Sequence, residues 1–306
     1  MSVLMIFLDG FGLGESNDFN PYKRARTEFL DHILGGHRLY ADSGGVATAW
    51  AQMIPTDAGL GVPGIPQSAT GQTTLWTGVN AARSLGRHLP AFPNAALREI
   101  LKENSLFRVL RDAGLRATFA NAYRPEYFES IKQKKSRWST SSIAVMSGGQ
   151  PFRTIDDLNE GRAVYHDFTN EMLISLGHRV DILTPEQAGT NLAELALDYD
   201  FTLYEYFLTD RIGHRQDVYQ GKKVLEALDM FLAAAANRLN LQDDLLLVVS
   251  DHGNFENMAV KGHTGNLVPT LLVGKEFNEE SPISSLADIM PFIYRYWGLK
   301  GEAGSR

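Results

Sequence analysis

A chain of 306 residues, 44% hydrophobic and 21% charged, has ordinary globular composition and is long enough to bury a large core without covalent staples. The absence of cysteine excludes disulfides, thiolate metal ligands and a cysteine nucleophile. The net charge of -7 disfavours non-specific binding to nucleic acid, while a bound divalent cation would invert the local field for an anionic substrate.

The first expected strand is Val3–Leu8 (VLMIFL). Its apolar run is too short for a signal sequence and lacks a basic region before it. No apolar stretch approaches the ~18 residues of a membrane span, so a cytoplasmic protein without membrane contact is expected. The segment 63–83, PGIPQSATGQTTLWTGVNAAR, is rich in hydroxyls and glycine. A turn of this kind leading into a helix exposes N–H groups and a positive dipole end, both of which favour phosphate. Ser68 or Thr70 would cap a helix beginning near Gly71.

A helix is expected over Ala95–Ala113, with apolar residues at Leu97, Ile100, Leu101, Val109 and Leu110 and Gly114 as its stop. Ala117–Asn121 and Ile143–Met146 are weaker strand candidates. Residues 132–137 (KQKKSR) read as a solvated loop. The strand Leu203–Leu208 follows, then a helix over Tyr219–Leu239. Leu245–Ser250 (LLLVVS) is the clearest strand, followed by Thr270–Val273 and a last helix over Ser285–Trp297. Near-continuous apolar strands alternating with helices predict an α/β sandwich whose sheet is covered on both faces. We expect one domain over residues 1–299, with a small lid within 85–200 and a disordered tail over 300–306.

Three of these strands run into acids. Val3–Leu8 ends at Asp9-Gly10, Leu203–Leu208 runs into Thr209-Asp210 with His214 beyond, and Leu245–Ser250 ends at Asp251-His252-Gly253. Ligands of open α/β sheets bind at the carboxyl ends of strands. His263 lies in the loop before the next strand. Carboxylates and neutral imidazoles together suit Zn²⁺ or Mn²⁺ rather than Ca²⁺. Asp210 and His214 stand one helical turn apart, so both can reach one ion. Taken singly, an Asp-Gly after a strand is usually a turn. The combination in this order is far more specific than any of its parts. His32, His37, His88, His166 and His178 lack such context and read as surface or structural.

The segments IFLDGFGLG, QSATGQTTLWTGVNAAR, TDRIGH, and SDHGNFENM with GHTGNLVPTLLVG resemble, in order, the metalloenzyme branch of the alkaline phosphatase superfamily, above all cofactor-independent phosphoglycerate mutase and phosphopentomutase. The resemblance implies an alkaline-phosphatase-like three-layer sandwich around a mostly parallel sheet. It implies two divalent ions, one on Asp210, His214 and His263, the other on Asp9, Asp251, His252 and the oxygen of a nucleophile. The mutases carry a phosphorylated serine in a Ser-x-x-Gly-His context. That match selects Ser68 as nucleophile, with Thr70 as the fallback, and Gln72 stands where the family has histidine. The chain is much too short for the large inserted domain of phosphoglycerate mutases. The expected activity is therefore a two-metal phosphomonoesterase or phosphodiesterase on a small phosphorylated substrate, with a reduced-cap intramolecular phosphomutase as the alternative. Arg83, Arg211 and Lys261 lie near the motifs without standing out as a phosphate clamp. A sulfatase is disfavoured, because Ser68 is followed by Ala-Thr-Gly-Gln and no cysteine is present.

Overall fold

The computed structural model describes residues 1–274 and 282–299. Among the described residues nine strands occur in chain order: β1 (Val3–Leu8), β2 (Val46–Ala47), β3 (Ala51–Thr56), β4 (Ala117–Phe119), β5 (Ala122–Tyr123), β6 (Arg153–Thr154), β7 (Phe201–Tyr206), β8 (Leu245–Val249) and β9 (Val268–Val273). Seven form the central sheet, in the order β2-β3-β9-β8-β1-β7-β4. The run β8-β1-β7-β4 is parallel, whereas β9 is antiparallel to β8, β3 to β9 and β2 to β3. Five of the seven strands thus point the same way. β5 and β6 make a separate small pair.

The sheet is buried on both faces because its strands are apolar on both. Along β1, Leu4, Ile6 and Leu8 enter one core while Val3, Met5 and Phe7 enter the other. Alternate side chains of a strand point to opposite faces, so a run without polar residues must be covered twice. The first core is closed by helices Pro185–Leu197 and Val218–Arg238. The second is closed by helices Ser68–Thr77, Ala95–Asn104, Leu106–Asp112, Thr140–Ser147 and Ile289–Tyr296. The result is helix, sheet, helix: the expected three-layer α/β sandwich.

Several expectations need correction in detail. Ile143–Met146 lies within the helix Thr140–Ser147, whose N-cap Ser139 accepts from the Ser142 N–H. A short apolar run fits a buried helix as well as a strand, and here the cap decides. The helix expected over Ala95–Ala113 is two helices, broken at Ser105, which leaves helical geometry at ψ 132° and caps the second with its own side chain. Leu208 opens a helix, Leu208–Arg215, rather than ending β7. The helix expected to begin near Gly71 starts at Ser68, with Gln67 in the N-cap position. The tail over 300–306 lies outside the described residues.

Candidate metal centre

The carboxyl ends of β1, β7 and β8 deliver the six expected ligands to one edge of the sheet. Asp9 directly follows β1, and its N–H bonds Tyr206 O at the end of β7. Asp210 and His214 share one face of the helix Leu208–Arg215. Asp251 and His252 follow β8. They form two clusters, Asp210 with His214 and His263, and Asp9 with Asp251 and His252, in each of which the ligand atoms lie within 4.8 Å of one another. The clusters abut: the rings of His252 and His263 stack at 3.7 Å between centroids.

Local backbone geometry makes this convergence possible. Gly10 adopts φ +67°, and a side chain there would meet Asp210 Oδ1 at 2.8 Å. Only glycine serves both the turn and the close approach. Gly71, in the helix Ser68–Thr77, lets that helix rest on the Asp251 backbone, whose O would lie 2.8 Å from an added Cβ.

Each imidazole is oriented the same way. Nδ1 of His214, His252 and His263 faces Lys261 O (2.9 Å), Gly253 O (3.3 Å) and Pro66 O (3.1 Å). The N–H therefore sits on Nδ1 and the Nε2 lone pair is left for the centre, the arrangement that metal-ligating histidines use. Nε2 of His252 lies 3.4 Å from Asp9 Oδ1, and Nε2 of His214 lies 3.4 Å from Asp210 Oδ2. Buried Asp9 Oδ1 has no hydrogen-bond partner. An orphaned carboxylate oxygen facing imidazole lone pairs lacks a cation, and the nitrogen and oxygen donor set fits a divalent ion of the zinc or manganese type.

Electrostatics agree with this fit. Burial, then the Asp251 and Asp210 charges, raise Asp9 well above the usual carboxylate range. Burial pushes Asp251 up to about 7, against the opposing pull of the Gln72 hydrogen bond. Burial, then His263, takes His252 down to about 3, so it is neutral. Nearby Glu205, buried on β7, is pushed up to about 8, first by burial. Asp251 and Glu205 thus hold protons in the folded metal-free protein that the unfolded chain releases near its ordinary values of 3.8 and 4.5. The folded state binds more protons across that window, so stability is full below about pH 4 for these groups and is lost as pH rises through 7 and 8. With chelator present, the unfolding temperature is expected to fall between pH 5 and 8, and Asp251→Asn with Glu205→Gln to flatten that slope. A flat or rising profile in the parent protein would contradict the assignment.

Ser68 lies beside the buried cluster, with its Oγ 3.0 Å from His252 Nε2. Thr70 is engaged elsewhere: its hydroxyl donates to Gln67 O and accepts from the Leu89 N–H. Of the two hydroxyls considered, Ser68 is the one in contact with a residue of the buried cluster. Gln72, which replaces the family histidine, donates to Asp251 Oδ2 at 3.0 Å.

Three more residues hold the ligands and carry little signal in the sequence. Thr209 Oγ1 donates to Asp9 O at 2.6 Å. Asn254 Nδ2 donates to Asp210 Oδ1 at 2.7 Å. The buried carboxylate of Glu256 accepts from the N–H groups of Gly12 (3.1 Å) and Asn254 (2.7 Å), from Asn266 Nδ2 (2.9 Å) and from the Thr264 hydroxyl. It ties together the loops that carry Asp9, Asp251-His252 and His263. The remaining histidines stand outside both clusters, and His166 lines a neighbouring cleft.

Comparison with known proteins agrees with this geometry. The model of the metalloenzyme superfamily matches residues 1–301. A 2,3-bisphosphoglycerate-independent phosphoglycerate mutase of Clostridium kluyveri is 29% identical over 131 residues, 39% of this chain and 26% of its own length. The chain spans less than half the length of the curated relatives it matches. Among solved structures, a Pyrococcus horikoshii protein superposes with a TM-score of 0.61 at 16% identity, over 96% of both chains. A Leishmania mexicana phosphoglycerate mutase gives 0.50 at 12%, over 97% of this chain and 95% of that one. These structural likenesses concern the fold, which is alkaline-phosphatase-like. With an acid or an acid–histidine pair at three strand ends and a family model that runs almost its whole length, this chain belongs to the metalloenzyme superfamily.

Proposed function

We propose that this chain is a two-metal phosphoryl-transfer hydrolase that cleaves a small phosphomonoester or phosphodiester through a phosphoserine on Ser68. The observation that carries the reading is the hydroxyl of Ser68, at the start of a buried helix, lying against His252 where two clusters of ligand atoms abut. Two ions of the zinc or manganese type, one on Asp9, Asp251, His252 and Ser68 Oγ, the other on Asp210, His214 and His263, supply charge neutralisation and favour the serine alkoxide when bound.

The protein's own residues do the rest. The helix Ser68–Thr77 directs its positive end and the Ser68 hydroxyl towards the ligand edge. Ser68 Oγ forms a bond to phosphorus as the bond from phosphorus to the leaving oxygen breaks. The serine proton passes to solvent, and the departing oxygen gains one as the free alcohol. Water then cleaves the phosphoserine, restoring the hydroxyl and releasing phosphate from a monoester or a phosphomonoester from a diester. Gln72 and Gly10 hold Asp251, and Asn254 holds Asp210, so the ligands stay in place throughout.

An intramolecular phosphomutase is the second reading, favoured by the relatives' name. The two differ in whether water or a retained hydroxyl attacks the phosphoserine. We place the protein in the cytoplasm, as one domain over residues 1–299, with a small lid within 85–200. No helix among the described residues is long and apolar enough to cross a membrane. Zinc or manganese is expected to restore hydrolysis of p-nitrophenyl phosphate or bis-p-nitrophenyl phosphate to chelator-stripped protein, the preferred ester separating monoesterase from diesterase. Metal binding without turnover of either ester would favour the mutase.

A further inference from the structure

The helices Ala95–Asn104 and Thr140–Ser147 pack against each other, and both rest on the helix Ser68–Thr77. They wall a groove of about 490 Å³, whose lining includes Arg98, Lys102, Arg137, Trp138, Ile143 and Met146. Arg98 and Lys102 stand one turn apart on the first helix, and Ile143 and Met146 one turn apart on the second, so each helix gives the groove one side of its surface. The groove shares no residue with either ligand cluster, nor with the cleft that His166 lines.

Its charges are of one sign. The chain has 36 acids against 29 lysines and arginines, yet no acid is among the lining residues of this groove. Lys102 is paired with Glu99 at 2.7 Å. Arg98 Nη1 donates to Pro93 O at 3.2 Å, a neutral carbonyl that leaves its charge unbalanced. Arg137 is held through its carbonyl, which accepts from the Tyr127 hydroxyl at 3.2 Å, and its guanidinium has no hydrogen-bond or ion-pair partner among the described residues. In the basic run over 132–137, Lys132, Lys134 and Lys135 are exposed, as a solvated loop requires, and Arg137 is the member that lines the groove. Two cations, Arg98 and Arg137, thus stand without a counter-ion.

The apolar part is already in place. Trp138 stacks on Phe152 at 5.5 Å between centroids, 13° from parallel, and meets Tyr127 edge-on at 5.8 Å. The indole is therefore fixed before anything binds. Met146 is 38% exposed beside buried Ile143. A fixed ring and an adaptable thioether make a bed for an apolar body. Concave sites of this size, apolar with a few placed charges, take small organic molecules, and guanidinium forks select an oxyanion.

We propose that this groove binds a small amphiphilic anion, its apolar body against Trp138, Ile143 and Met146 and its oxyanion on Arg98 and Arg137. The site is separate from the metal centre and stands or falls independently of the phosphoryl-transfer reading.

The test locates the ligand as well as detecting it. The chain has no cysteine, so Met146→Cys places a single thiol in the groove. Met230→Cys, at a 40% exposed position on the helix Val218–Arg238, is the control. The probes are 8-anilinonaphthalene-1-sulfonate and N-phenyl-1-naphthylamine, which differ only in the sulfonate. In zinc-supplemented protein the sulfonate is expected to slow alkylation of Met146→Cys by N-ethylmaleimide roughly fivefold or more as the site fills. It should do so at about one-tenth the concentration that the neutral amine needs, as charge-assisted hydrogen bonds imply. The control thiol should react at an unchanged rate. Adding Arg98→Ala/Arg137→Ala is expected to abolish the preference for the sulfonate. Lys134→Gln/Lys135→Gln removes as much charge outside the lining and should preserve it. Unfolding temperatures check that the variants fold. If the double arginine variant does not, Arg137→Ala alone, whose side chain makes no hydrogen bond, is expected to cut the preference about threefold or more. No protection, equal protection by both probes, or a preference indifferent to the arginines or equally lost with the lysines would overturn the proposal. Alkylation that is slow without any probe and quickens on dilution would overturn it too, because a second copy of the chain would then cover the groove.

Discussion

Ser68→Ala is expected to lower metal-dependent phosphoester hydrolysis roughly a thousandfold or more, the scale on which removing a covalent nucleophile acts. It should do so without loss of fold. The side chain makes one hydrogen bond, to His252 Nε2, and alanine is well tolerated at a helix start of this kind. The unfolding temperature of the metal-free variant should stay within a degree or two of the parent, because a partly exposed hydroxyl contributes about 1 kcal/mol at most. The control is Thr70→Ala. Its hydroxyl is tied to Gln67 O and the Leu89 N–H, so this change should cost stability rather than chemistry. Incorporation of labelled phosphate into the parent protein but not into Ser68→Ala would identify the covalent residue directly. Full activity in Ser68→Ala would move the nucleophile elsewhere.

Glu256→Ala is expected to destabilise the protein by about 3–5 kcal/mol and to weaken metal binding at least tenfold. The carboxylate is 3% exposed and accepts from four donors, one in the loop after β1 and three in the loop between β8 and β9. Removing it leaves those donors buried without an acceptor. It also frees the segments that carry Asp9, Asp251, His252 and His263, none of which Glu256 itself replaces as a ligand. Glu256→Gln is a sharper probe. The amide keeps the volume, but its NH₂ faces groups that are themselves donors, so it should recover only part of the loss. Thermal unfolding and a zinc titration of both variants check this. An Ala variant as stable as the parent would show that the loops hold each other without it.

The legible part of the fold is the part that one short segment determines alone. Val3–Leu8 and Leu245–Val249 are continuous apolar runs ended by acid, and both are strands. Their burial on both faces follows from the absence of polar residues. Ala51–Thr56 was not legible. It contains Gln52 and Pro55, and Pro55 sits opposite Pro269 in the register. Neither proline has an N–H to give, and the pairing of β8 with β9 stops short of that position. Nothing local shows that β3 is held by β9, more than two hundred residues away. The break at Ser105 was equally hidden, because apolar periodicity continues across it and only the serine cap marks the new helix.

The same division runs through the site. Five of the six acids and histidines were legible because they stand just beyond strands or one helical turn apart, positions that chain order reveals, while His263, in the loop before β9, came with the resemblance. Ser68 came from resemblance, and its place beside His252 supports that choice. Gln72, Thr209, Asn254 and Glu256 carried no such signal. Gln72 serves Asp251 across 179 positions, and Glu256 serves Gly12 across 244. Such residues act through contacts that only the folded chain creates. A buried glutamate within an otherwise apolar strand, as in FTLYEY, is the one sequence feature that marks an uncompensated polar group. It lines the same cleft as His166.

The most direct measurement of the central claim is metal stoichiometry. Protein stripped by chelator, dialysed against zinc or manganese and analysed by plasma mass spectrometry is expected to hold two ions per chain. His214→Ala should lower that to one while leaving the buried cluster loaded, and Asp251→Asn should empty the buried cluster instead. A chain that binds no ion, or whose content is indifferent to both substitutions, would contradict the reading of the two clusters as a metal centre.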